Sequence, residues 1–153
     1  MVGRRIGTLL TFAAALGLTN ATVFAHVVVA PGASVVGIQE AYGLRVHNET
    51  KVPTTSLDLE IPEGITVLEV ALVKDGSFEL VKAGGSVTRV IWKVAVPPGI
   101  YQEFKFTARN PDTVKEVHWN VKQNMSDGSV IDWSDKPDAK EKASKTDIRA
   151  SAP

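Results

Sequence analysis

There is no cysteine among the 153 residues of this chain. That excludes disulfides, thiolate metal sites and cysteine nucleophiles, and leaves a secreted form of the chain dependent on its hydrophobic core. An excess of one charge is also missing: 17 Lys and Arg balance 17 Asp and Glu. Near-neutrality gives no reason to expect nucleic acid or an anionic membrane surface as a partner. No stretch has the apolar periodicity of an amphipathic helix of three turns. No Ser/His/Asp or nucleotide-binding pattern stands out, and Ala83-Gly84-Gly85 reads as a hairpin turn rather than a phosphate cradle because no helix follows it. Only one long apolar run is present, and it lies at the N-terminus.

That run has the three parts of a secretory signal peptide. Arg4 and Arg5 form a positive start, and Ile6 to Leu18 is uncharged and mostly apolar. Val23 and Ala25 stand at the two positions that signal peptidase reads before a cut. The apolar run is too short for a comfortable membrane span. The expectation is a signal peptide over 1–25, cleaved between Ala25 and His26, and a mature protein that is periplasmic or secreted. Losing Arg4 and Arg5 takes the basic count from 17 to 15. With no apolar run near the C-terminus, no membrane anchor is expected after cleavage.

The rest of the chain reads as strands. Tyr42, Leu44 and Val46 alternate within Glu40–Asn48, and Leu57, Leu59 and Ile61 within Ser56–Ile61. Segments 66–73, 77–81, 87–94, 102–108, 116–123 and 129–133 continue the series, rich in β-branched and aromatic residues. Turn chemistry separates them: Pro62-Glu63-Gly64, Lys74-Asp75-Gly76, Pro97-Pro98-Gly99, Asn110-Pro111-Asp112 and Asp127-Gly128. The spacing predicts one all-β domain over 26–134, an Ig-like antiparallel β-sandwich of about eight or nine strands. Beyond Trp133 the composition turns charged and small, which predicts a disordered C-terminal tail over 135–153.

Cleavage before His26 would make it a chain-terminal histidine. Its α-amine and ring Nδ1 can then close a chelate on one metal ion, and two nitrogens from one residue suit Cu(II). This is half of a histidine brace; the plainer reading is a residue that merely begins the first strand. Glu49, just past a strand end, can add a carboxylate to such a site, or be a solvated loop acid. Trp133 carries an N–H donor and no acceptor, so it is no conventional ligand. It either covers a metal and limits solvent, or fills the sandwich core on the face it shares with Ile131.

The chain resembles the YcnI-like copper-binding domain family of bacterial secreted proteins. The resemblance rests on "AHVVVAPG", "LRVHNETKVPTTSLDLEIPEGITV", "PPGIYQEFKFTARNP" and "SDGSVIDWS", and runs from His26 to about Trp133. It implies an Ig-like sandwich binding one Cu(II) per chain through a mono-histidine brace. Carried over by position, the metal residues are His26, Glu49 and Trp133. It further implies an extracytoplasmic copper chaperone or copper-homeostasis factor, with no enzymatic activity, whose partners are the copper ion and another extracytoplasmic copper protein. Two other classes stand beside this reading: a metal-free Ig-like interaction module, and a copper-dependent oxidative enzyme, which needs a second histidine ligand. For the latter only His47 or His118 is available, and both read as exposed strand histidines. Met125 reads as loop or core filler.

Overall fold

A computed structural model describes residues 26–151. The expected signal peptide over 1–25 lies outside the described residues. Within them the chain forms strands and no helix. They are β1 (His26–Ala30), β2 (Ala33–Val35), β3 (Gln39–His47), β4 (Thr54–Glu60), β5 (Thr66–Val70), β6 (Ser77–Ala83), β7 (Ser86–Val96), β8 (Tyr101–Arg109), β9 (Lys115–Trp119), β10 (Val121–Met125), β11 (Val130–Trp133) and β12 (Ser144–Arg149). One sheet runs β1-β3-β8-β5 and a second β11-β10-β4-β7-β6, while β2-β12-β9 form a short third ladder. The Ig-like sandwich expected from the alternation is thus present.

The alternating residues build the core. Val27 and Val29, then Tyr42, Leu44 and Val46, then Phe104, Phe106 and Ala108 are buried on the first sheet. Leu57, Leu59, Val90, Trp92, Val94 and Val96 are buried on the second. Aromatic rings join the layers: Trp92 lies 5.4 Å from Phe104, and Trp119 lies 5.0 Å from Tyr42, centroid to centroid. Each large side chain so buried contributes about 1.5–3 kcal/mol, which lets a chain without disulfides hold together. Ala83 pairs with Ser86 across Gly84 and Gly85, whose positive φ values of 56° and 83° are those of a two-residue hairpin turn.

The strand count exceeds the expected eight or nine through the short β2 and in two further places. Segment 116–123 is two strands that change partners at Asn120. β9 pairs with β12, whereas β10 pairs with β4 and β11. The burial alternation of Val117, Trp119, Val121, Gln123 and Met125 runs unbroken through the change. Periodicity alone therefore does not reveal it.

The second difference corrects the expected disordered tail over 135–153. β12 pairs antiparallel with β9 and parallel with β2, at Asp147↔Ala33 through Arg149↔Val35. Ile148 is buried in the core. Thr146 is buried too: its Oγ1 accepts the Trp119 indole N–H at 3.0 Å and donates to the Pro31 carbonyl at 2.8 Å. A buried hydroxyl with both hydrogen-bond roles filled carries little of the usual penalty, so this polar segment packs as a strand.

Candidate metal centre

His26 begins β1, and the antiparallel pairing of β1 with β3 sets what faces it. The register runs His26↔His47 to Ala30↔Gly43. With Val27 and Val29 buried, the odd-numbered residues of β1 face inward and His26 faces out, its side chain 70 % exposed. His47, the last residue of β3, stands directly across from it. Directly opposed residues in an antiparallel pair have Cβ atoms about 4.5–5.5 Å apart.

Glu49 is held by the turn that follows. The carboxamide of fully buried Asn48 donates to the carbonyls of Val52 at 3.0 Å and Val96 at 2.8 Å. Its Oδ1 accepts from the backbone N–H of Thr50 at 3.1 Å and from the Thr50 hydroxyl at 2.7 Å. This local Asx-type arrangement fixes the loop. The Glu49 N–H donates to the His47 carbonyl at 3.1 Å, which turns its side chain back over the strand ends. Sequence reasoning missed Asn48; the signal that would find it is an Asn two residues before a Thr, just past a strand end.

The Glu49 carboxylate lies between two imidazoles. Oε2 is 3.7 Å from His26 Nδ1, and Oε1 is 3.0 Å from His47 Nδ1. The 3.7 Å gap is too long for a hydrogen bond. It does suit two donors on one cation, which at bond lengths of about 2.0–2.2 Å stand about 2.9 Å apart at a right angle and at most about 4.4 Å apart in line. Among the described residues no three His, Asp or Glu side chains are grouped so as to hold a metal ion. By the same measure the 3.0 Å between His47 and Glu49 also suits two donors on one cation.

Trp133 shares a groove with His26. The two residues line one groove of about 470 Å³, whose wall is Lys140, Lys142 and Ser144. The segment expected to be a loose tail therefore forms part of the surroundings of His26. Ser144 Oγ accepts the Val29 N–H at 2.9 Å, and Trp133 forms a bridge with Glu141. Trp133 is also buried in the core, and its indole N–H donates to Gln123 Oε1 at 3.2 Å. Gln123 in turn donates to Thr54 Oγ1 at 2.7 Å. The core reading of Trp133 therefore holds, and the residue also lines the groove.

The remaining residues singled out in the sequence lie elsewhere. His118, on β9, has Nε2 2.8 Å from Glu116 Oε1 and Nδ1 against the Asp135 carboxylate. Met125 ends β10, buried, with its sulfur 3.8 Å from Thr54 Oγ1. A larger groove of about 850 Å³ lies over β1, β3 and β8 without His26, Glu49 or Trp133. Three of its charges are paired with each other: Glu103 takes Arg45 at 2.8 Å and Lys105 at 3.7 Å.

Comparison with known proteins adds three findings. The family described as a domain of unknown function, DUF1775, matches residues 26–153. The copper-binding protein CutI of Bacillus subtilis (strain 168) is 30% identical over 146 residues, covering 94% of this chain and 68% of that protein. Among solved structures, an uncharacterised Nocardia farcinica protein with an immunoglobulin-like fold superposes with a TM-score of 0.69 at 21% identity, over 80% of this chain and 97% of its own. A non-cellulosomal cohesin from Archaeoglobus fulgidus reaches 0.50 at 15% identity, over 84% and 91%. These structural likenesses show the fold alone.

Proposed function

This chain belongs to the DUF1775 family, and from that membership we propose that it binds copper outside the cytoplasm, one Cu(II) per chain, through its mature N-terminus. The relative CutI is named a copper-binding protein, which supports the choice of metal. The leader-like features of residues 1–25 support both the location and the cut before His26.

The reading rests most on one observation: His26, the first residue after the expected cut, has Nδ1 3.7 Å from a Glu49 carboxylate oxygen. Cleavage frees the α-amine of His26, whose ordinary pKa of about 7.7–8.0 lets a cation displace its proton near neutral pH. Amine and Nδ1 then form the brace, and Glu49 supplies a charged oxygen. Trp133, pinned by Gln123, limits solvent on the groove side. An exposed site of this kind suits uptake and release, so the role proposed is that of a chaperone or homeostasis factor handing copper to another extracytoplasmic copper protein. It is a binding role rather than a catalytic one.

Competition titration of protein beginning at His26 tests this reading: one tightly bound Cu(II) per chain is expected, with no reductant-dependent oxygen consumption. Absence of binding would leave a metal-free interaction module. Sustained oxygen consumption would make the protein an oxidative enzyme.

A further inference from the structure

Three observations single out His47. It is the cross-strand partner of His26, its Nδ1 lies 3.0 Å from Glu49 Oε1, and the Glu49 backbone is tied to the His47 carbonyl. The contact occupies one carboxylate oxygen and leaves the other, Oε2, toward His26. We propose that His47 is a positioning residue for copper: its Nδ1, 3.0 Å from Oε1 of Glu49, carries the proton and turns to donate it there, so that Oε2 is presented to the metal. The inference rests on the copper reading above and assigns a role to a residue outside the His26–Glu49–Trp133 set.

The alternative, His47 as a third side-chain ligand, lacks support, because among the described residues no three His, Asp or Glu side chains are grouped so as to hold a metal ion. Partners that orient a ligating side chain commonly matter about 10–100-fold in metal affinity. Glu49 has special need of one, since it sits on a turn and its side chain is 23 % exposed. Nδ1 is also the ring nitrogen nearer the backbone, which suits a carboxylate two residues further on.

The test uses mature protein beginning at His26 and Cu(II) alone. His47→Phe keeps a ring and removes the donor; Cu(II) affinity should fall about 10–100-fold. His47→Asn places an amide N–H near the former Nδ1, and should restore affinity to within a few-fold. Electron paramagnetic resonance should count the same number of coordinated nitrogens in wild type and His47→Asn. In a Glu49→Gln background His47→Phe should add little, because the two act through one group.

Wild-type affinity in a folded His47→Phe protein overturns the proposal, and so does loss of a coordinated nitrogen in His47→Asn, which would make His47 a direct ligand. Without copper, nitrogen-15 NMR should find His47 as the Nδ1–H tautomer; the Nε2–H tautomer overturns the role even in a protein that binds copper. Wild-type protein that binds no copper while keeping the Nδ1–H tautomer overturns the copper reading itself, and the role with it.

Discussion

The molecule carries two histidine–carboxylate clusters built in opposite proportions. At the start of β1, two imidazoles, His26 and His47, share the single carboxylate of Glu49. On β9, the single imidazole of His118 stands between two carboxylates, Glu116 and Asp135, with Lys145 3.0 Å from Glu116. At the second cluster both ring nitrogens face an acid, and each acid has a basic neighbour. The cluster is internally matched and ties β9 to the turn after β11. At the first, one carboxylate cannot satisfy two rings, and the contact with His26 stays at 3.7 Å. Nitrogen donors are in surplus there, and cleavage before His26 would add one more. The residue types are alike; their ratio separates the proposed binding site from a surface clamp.

Glu49→Gln should break the comparison most severely. Removing the only carboxylate of the first cluster should lower Cu(II) affinity at least about 100-fold, the upper end of what outer partners alone supply, with circular dichroism unchanged. His118→Gln should leave copper affinity untouched, and a shift there would mean that the clamp reading is wrong.

Trp133→Phe should come next. It removes the N–H that Gln123 Oε1 accepts and leaves a buried acceptor unpaired, at a cost of about 1–3 kcal/mol in denaturant unfolding. It should change the copper spectrum or reduction potential more than the affinity, because the indole N–H already points to Gln123.

The smallest expected effect is the acid response of the clamp. His118 holds the Asp135 carboxyl below its ordinary pKa, and Lys145 does the same for Glu116. A carboxylate whose pKa is depressed on folding stabilises the fold above its unfolded pKa of about 4, and that stability is lost as pH falls through the folded value. Both groups are exposed, so screening keeps the effect slight. Melting temperatures of wild type and Asp135→Asn should differ a little at pH 6, wild type being higher, and converge once the pH has fallen below the depressed pKa of Asp135.

The same contrast marks how far the sequence could be read. Strands with apolar alternation, such as Tyr42-Leu44-Val46 and Leu57-Leu59, were legible because a period of two with one buried face leaves little choice. β12 was not, because Lys145, Asp147 and Arg149 outweigh Ile148 in composition, and the burial of Thr146 depends on Trp119 and Pro31, far away in sequence. The partner change at Asn120 was hidden for the opposite reason: the alternation never falters there. At the site, His26 stood out by its place after a cleavage signal, and Glu49 and Trp133 by resemblance. The placement of His47 depends on the register of β1 against β3, which no single strand encodes, and Asn48 acts through carbonyls as distant as Val96.

The claim that the free amine of His26 is itself a ligand is tested most directly by one pair of titrations. Protein beginning at His26 is compared with the same protein acetylated on the His26 α-amine, both against a Cu(II) chelator and both checked for folding by circular dichroism. Acetylation keeps the imidazole and Glu49 but converts the amine to an amide with no upstream amine to anchor the metal, a poor donor near pH 7. Affinity should fall by several factors of ten, each about 1.4 kcal/mol. Equal affinities in the two forms would contradict the account and return His26 to an ordinary strand residue.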